Sequence, residues 1–188
     1  MCASAQTLNL KDNLPMPLSL YDVTVPTYQQ ILGSVAGLLD KAEKHCAEKG
    51  LAHADVIQAR VHPEMLPFAY QVKSTVAHSV GALQALPKGA FSPDMTPFPD
   101  TFAALKEKVV GARAMLDRFT PADINAYEGR DMRFSIKDNF HLDFTAENFL
   151  LSFSLPNFFF HATTTYDILR AKGVAIGKRD FMGKLRVK

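Results

Sequence analysis

The stretch from Thr145 to Lys172, TAENFLLSFSLPNFFFHATTTYDILRAK, restricts the architecture more than any other part of the chain. Its spacing predicts one long helix, opened by Thr145 as a cap and closed at Gly173. A helix this rich in phenylalanine needs other elements to cover it. Pro156 lies well inside. It has no N–H for the Ser152 carbonyl and its ring crowds that carbonyl, so a kink or pause is expected there. Just beyond, Asn157 and His161 are four residues apart and share a face, surrounded by Phe153, Phe158, Phe159 and Phe160.

Three more segments carry helical periodicity. From Pro26 to Lys49, Tyr28, Ile31, Leu32, Val35, Leu38, Leu39, Ala42 and Cys46 form one apolar stripe, with Thr24 as a possible cap and Gly50 as the stop. A short helical turn is expected around Asp55 to Arg60. A second long helix is predicted over Glu64–Leu86, with Leu66, Tyr70, Ala77, Val80 and Leu83 facing one way. Gln71, Thr75, His78 and Ala82 form an adjacent strip. The prolines of Phe91–Pro99 mark a connecting crossover. A third helix is predicted over Thr101–Phe119, capped by Asp100, and Pro121 and Asp123 close that segment. In RDMRFSIKDNFHLDF (130–144), apolar residues alternate about an Asp138-Asn139 turn, which predicts a β-hairpin packed on the helices. The expected fold is mainly all-α, a four-helix bundle with a long crossover and a small hairpin before the last helix. Residues 1–17 read as a flexible arm, 18–183 as a single domain, and 184–188 as the end of an irregular tail that begins at Val174.

Composition narrows the function classes. A net charge of +2 does not suggest nucleic acid, and the basic residues at the far end read as a solvated tail. The apolar run at 149–160 contains Ser152, Ser154 and Asn157 and is too short for a membrane span, which needs about 20 residues. The two cysteines, Cys2 and Cys46, have no paired spacing, so neither a disulfide framework nor a structural zinc site is expected, and Cys46 reads as core. No secretory signal is evident at the start, and a cytoplasmic location is expected. No phosphate loop of P-loop or Rossmann spacing and no nucleophile-elbow motif occurs.

Bundles assemble ligand and metal sites from inward-facing side chains on different helices. Here the candidates are His78 on the second helix and Asn157 and His161 on the last. Two imidazoles and an amide oxygen make an incomplete facial set for a divalent metal. The alternative reading makes both histidines structural, hydrogen-bonded to Asn157, Gln71 or a backbone carbonyl. Gln71, Asn157 and Tyr166 are candidate substrate-binding residues, although Tyr166 and Asp167 point away from His161 and form no triad with it. His45, His53, His62 and His141 are expected in solvent, and Asp94 and Asp100 as loop and cap carboxylates. The phenylalanine cluster reads as core of a type that also suits an apolar ligand.

Several segments in order, SLYDVTVPTY (19–28), LLDKAEKH (38–45), ARVHPEMLPFAYQV (59–72), FPDTF (98–102), LPNFFFHATTTYDILRAKGV (155–174) and GKRDFMG (177–183), resemble the DUF1993 family of the DinB/YfiT-like superfamily. The resemblance implies a DinB-like bundle over about 18–183. Many such bundles hold a divalent metal through one His on the second helix and an HxxxH pair on the last. Those positions fall on His78, Asn157 and His161, so this chain reads NxxxH where Zn, Ni or Fe would be expected. The superfamily also includes thiol-dependent transferases and isomerases. Two functions follow as expectations. One is a small molecule, with or without a metal, bound between helices two and four. The other is a non-catalytic homodimer with structural histidines.

Overall fold

The first helix, α1 (Leu20–Lys49), begins ahead of Pro26 rather than at it. Ser19 caps it in a reciprocal box: its side chain accepts from Asp22 N–H, and the Asp22 carboxylate accepts from Ser19 N–H at 3.1 Å. That box satisfies two of the orphan donors of the first turn and holds the start where Ser-x-x-Asp places it. Pro26 is therefore an interior residue, tolerated despite its missing donor. The structure, a computed structural model, describes residues 18–137 and 140–187. The arm at 1–17, the Asp138-Asn139 turn and Lys188 lie outside the described residues.

After a short α2 (Ala54–Ile57), the second long segment starts at Phe68, four residues later than its periodicity predicts. Pro67 is the reason. The residue before a proline is pushed out of the α region, so Leu66 stays outside the helix and is 44% exposed. The segment runs as α3 (Phe68–Val76), a π-helical turn (Ala77–Gly81), α4 (Ala82–Ala85) and a 3-10 turn (Leu86–Lys88). Gly89 then turns the chain at φ 60, and a Cβ there would stand 3.2 Å from the Asp131 carbonyl. A two-residue strand follows, β1 (Ala90–Phe91), too short to leave a sequence signal.

α5 (Phe102–Leu116) is capped by Thr101, whose hydroxyl accepts from Ala104 N–H, and not by Asp100. Thr120 and Asp123 form a capping box on α6 (Pro121–Asn125). The hairpin appears as expected, β2 (Asp131–Ile136) antiparallel to β3 (Phe140–Thr145), with β1 parallel to β2 on the other side. Met132 and Phe134 face the helices and Thr145 caps α7 (Ala146–Asn148).

The last long segment continues from α7 through a π-helical stretch (Phe149–Ser154) into α8 (Leu155–Ala171). The disturbance predicted at Pro156 takes this form. Leu155 N–H reaches back five residues to the Leu150 carbonyl, so the ladder has already widened where Pro156 has no donor to give. The residues beside the gap, Leu151 and Ser152, are exposed. The segment expected as an irregular tail instead forms α9 (Lys178–Met182). Gln30 donates to the Met182 carbonyl and Lys41 pairs with Asp180, strapping α9 to α1.

α1 packs on α5 and α8, and α3 packs on α8 and α5, so each long segment touches two others. Tyr28, Phe68, Phe102, Phe149 and Phe158 are fully buried between them. Each such side chain contributes roughly 1.5–3 kcal/mol by burial. The chain is mostly helical with a small three-stranded sheet. No helix among the described residues is long and apolar enough to cross a membrane.

Candidate functional site

Where α3 and α8 pack together, polar side chains line up inside an aromatic shell. His161 lies on α8, Gln71 on α3 and His78 in the π-helical turn that follows α3. The two imidazole rings are 5.8 Å apart between centroids and inclined by 19°. His161 Nδ1 lies 2.7 Å from Gln71 Oε1, and Gln71 Nε2 donates to the Leu66 carbonyl at 2.8 Å. The second bond decides the first. With the amide nitrogen committed to Leu66, only the amide oxygen faces His161, so Nδ1 must carry the proton and Nε2 a lone pair.

His78 is held by Ser154. The Ser154 hydroxyl donates to the His78 carbonyl at 3.0 Å and lies 3.4 Å from His78 Nδ1. The two π-helical stretches therefore meet here. A widened turn shifts the carbonyl register, and the Ser154 hydroxyl fills the acceptor so exposed. Tyr28 OH, fully buried, lacks a hydrogen bond of normal geometry among the described residues. Burial pushes its phenol up, with the Ser154 hydroxyl opposing.

Aromatic rings enclose the pair. Phe91 and Phe153 stand 5.4 and 5.7 Å from His78, and Tyr70 and Phe160 stand 5.8 and 5.3 Å from His161. Desolvation lowers both imidazoles to a pKa of about 4, and for His78 the neighbouring His161 adds to it. At neutral pH both rings are uncharged and each offers an acceptor nitrogen.

The other candidates are placed differently. Asn157 donates its side-chain N–H to the Phe153 carbonyl on its own helix at 2.7 Å, so Gln71, not Asn157, is the amide bonded to His161. Tyr166 packs on Phe181 of the α9 strap, with ring centroids 5.9 Å apart. His53, His62 and His141 are exposed, as expected, whereas His45 is half-buried on α1. Ser154 and Tyr28 were not among the sequence candidates: one is a hydroxyl in an apolar run, the other a member of an apolar stripe.

The donor set does not fit a tightly held divalent metal. It comprises two neutral imidazoles and a carboxamide whose N–H is bonded to Phe153. Among the described residues no group of three or more His, Cys, Asp or Glu could hold an ion. Two imidazoles and one neutral amide oxygen fall short of the three imidazoles, or imidazoles with a carboxylate or thiolate, that hold Zn, Ni or Fe firmly.

Comparison with known proteins agrees with this architecture. The chain is similar in structure to a DinB family member protein from Shewanella denitrificans, with 27% identity and a TM-score of 0.75, over 90% of this chain and 94% of that one. No curated protein matches the chain. The model of the domain of unknown function DUF1993 matches residues 20–182. With its helical scaffold, small sheet and near-complete match, the chain belongs to the DUF1993 family and has a DinB-like fold.

Proposed function

We propose that the chain is a small-molecule binding protein, a DinB-type four-helix bundle whose ligand docks on the histidine pair between the second and last long segments. The single observation that carries this reading is the Gln71–His161 hydrogen bond. It fixes the ring and its tautomer and leaves Nε2 as a preset acceptor. The ligand class follows from the environment. Uncharged imidazoles and aromatic walls favour a neutral molecule with an apolar body and one O–H or N–H donor. The carboxamide oxygen of Asn157 is a second acceptor on the same helix.

Recognition fits these groups better than proton abstraction. A general base works best with a pKa near the operating pH, and these imidazoles titrate at about 4. Gln71 can orient an imidazolium but carries no charge to stabilise one. His161 therefore accepts a hydrogen bond and does not keep the proton.

Side-chain 15N spectra of histidine during titration with neutral probes, benzyl alcohol and benzamide first, test the reading. A bound probe should move the His161 Nε2 resonance, and His161→Phe should weaken binding by about tenfold or more with the fold retained. Equal binding by the variant contradicts it.

The exposed aromatic rim supports a second reading. Phe160 and Leu151 are 56% and 43% exposed on the last long segment, and a homodimer through this face would cover them and make the histidines structural. Sedimentation of the wild type and a Phe160→Glu variant distinguishes the two. A dimer that dissociates in the variant supports the second reading, and a monomer in both leaves the first.

A further inference from the structure

Among the described residues, Tyr28 OH is the one polar side-chain atom both sealed from solvent and without a hydrogen-bond partner of normal geometry. The Tyr28 ring packs edge-on against Phe158, centroids 4.8 Å apart, and the side chain that reaches its phenol is that of Ser154. Ser154 is itself fully buried and touches His78. A buried phenol proton without an acceptor costs free energy, and the Ser154 oxygen is the acceptor it can turn to.

Counting protons on Ser154 then fixes His78. A hydroxyl has one proton and two lone pairs. The Ser154 proton goes to the His78 carbonyl at 3.0 Å. With one lone pair given to the Tyr28 proton, the other is left for His78 Nδ1 at 3.4 Å. Ser154 can only accept there, so Nδ1 carries the hydrogen of His78 and Nε2 the lone pair. His161 reaches the same state through Gln71. Neither Nε2 has a hydrogen-bond partner among the described residues, and neither is sealed as Tyr28 OH is. Two open acceptors therefore stand on rings inclined by 19° with centroids 5.8 Å apart. An –NH2 group donating along both N–H bonds at about 2.9 Å joins acceptors roughly 5 Å apart, whereas a hydroxyl satisfies one ring alone. A carboxamide carries such a group with no basic nitrogen. Phe91, Phe153, Tyr70 and Phe160 suit its apolar remainder.

We infer that Tyr28 and Ser154 are positioning residues that hold His78 as a second Nε2 acceptor, and that the ligand of the histidine pair is a neutral primary carboxamide whose –NH2 is shared between the two rings. The ligand rests on the small-molecule reading proposed above. The positioning role does not, because it concerns the free protein.

Long-range 1H–15N spectra of the histidine side chains read the tautomer in the free, full-length chain. His78 should carry its proton on Nδ1 in the wild type. Tyr28→Phe removes the proton that restrains Ser154, whose hydroxyl can then turn toward Nδ1, so a His78 Nε2–H signal should appear with the melting transition retained. Ser154→Ala should also release the tautomer, and Ser154→Thr should restore the wild-type spectrum. A purely structural role would change stability and leave the tautomer alone. A His78 with Nε2–H in the wild type, or one unmoved in Tyr28→Phe, overturns the positioning role. Calorimetric titration with benzamide, N-methylbenzamide and benzyl alcohol tests the ligand. Benzamide should bind at least about tenfold more tightly than either one-donor probe and move the Nε2 resonances of both rings, and Ser154→Ala should cancel that advantage. Equal affinity for benzamide and benzyl alcohol, with His161 Nε2 alone moving, overturns the carboxamide and leaves the histidine reading standing. Failure of every probe to bind defeats that reading and the carboxamide with it, and the free-protein spectra then judge Tyr28 and Ser154 by themselves.

Discussion

One helical segment carries two buried polar junctions, and they solve the same problem in opposite ways. Lys73, whose side chain is 3% exposed, is fully partnered: its ammonium pairs with the Asp94 carboxylate at 3.2 Å and donates to the carbonyls of Asp94 and Thr96. Burial works against the Asp94 carboxyl, yet the Thr96 hydroxyl and backbone N–H, together with Lys73, hold it below the usual carboxylate range. His78 and His161, on the other side of the segment, meet a carboxamide, a hydroxyl and aromatic rings but no carboxylate. They stay neutral. The difference shows that partner chemistry, more than depth, decides whether a buried group is ionised.

Acidification should strike the neutral junction first. Both histidines have folded pKa values of about 4, below the ordinary 6.5, so the unfolded chain binds protons more readily between those limits. Stability is therefore fully present above pH 6.5, falls as pH drops from there to about 4, and levels off for these groups below that. The combined loss is on the order of 5 kcal/mol, because a tenfold change in proton affinity is worth about 1.4 kcal/mol and the two sites are coupled. Urea titrations across this range should show it, and a His161→Gln variant should have a shallower acid limb.

Breaking the charged junction comes next. Lys73→Met should cost about 3 kcal/mol, because it strips Asp94 of its cation and leaves two carbonyls without their donor. Denaturant midpoints measure this, and a loss below about 1 kcal/mol, the value of an exposed pair, would mean that water reaches the site. Gln71→Leu should cost about 2 kcal/mol by leaving the Nδ1–H of His161 buried without an acceptor. Gln71→Glu converts the neutral junction into a copy of the charged one. The new carboxylate should raise the His161 proton affinity by about tenfold or more, read by histidine NMR. The smallest effect lies outside both junctions. Gly183 has φ 59, and its Cβ would run into the Ser34 hydroxyl, so Gly183→Ala should cost about 1 kcal/mol and loosen the α9 strap, measurable by amide exchange.

Much of this arrangement could be read in the residues. Thr145 as a cap and the alternation of Met132 and Phe134 follow from spacing, because spacing determines which side chains share a face, whereas His78 opposite His161 also needed the expectation that their two helices pack together. The Ser19–Asp22 box was also legible as Ser-x-x-Asp, but Pro26 is the stronger signal for a helix start and displaced it. Other features left no periodic trace. A π-helical turn keeps the same residue types as an α-turn, so Pro156 marks where the helix is disturbed but not the form that the disturbance takes. Lys73 reads as a surface residue by default, and only tertiary packing brings the 92–99 loop over it. Gln71 and Asn157 were both candidate amides. Asn157 takes its neighbour four residues back, while the longer Gln71 reaches across to α8.

Everything proposed for the histidine pair depends on His161 being a neutral ring whose Nδ1–H is held by Gln71 and whose Nε2 is a free acceptor. Long-range 1H–15N spectra of the histidine side chains, followed from neutral pH down past 4, test this most directly. His161 should keep the Nδ1–H tautomer, with His78 also neutral, until the pH approaches about 4. A His161 that titrates near the ordinary 6.5, or that carries its proton on Nε2, contradicts it.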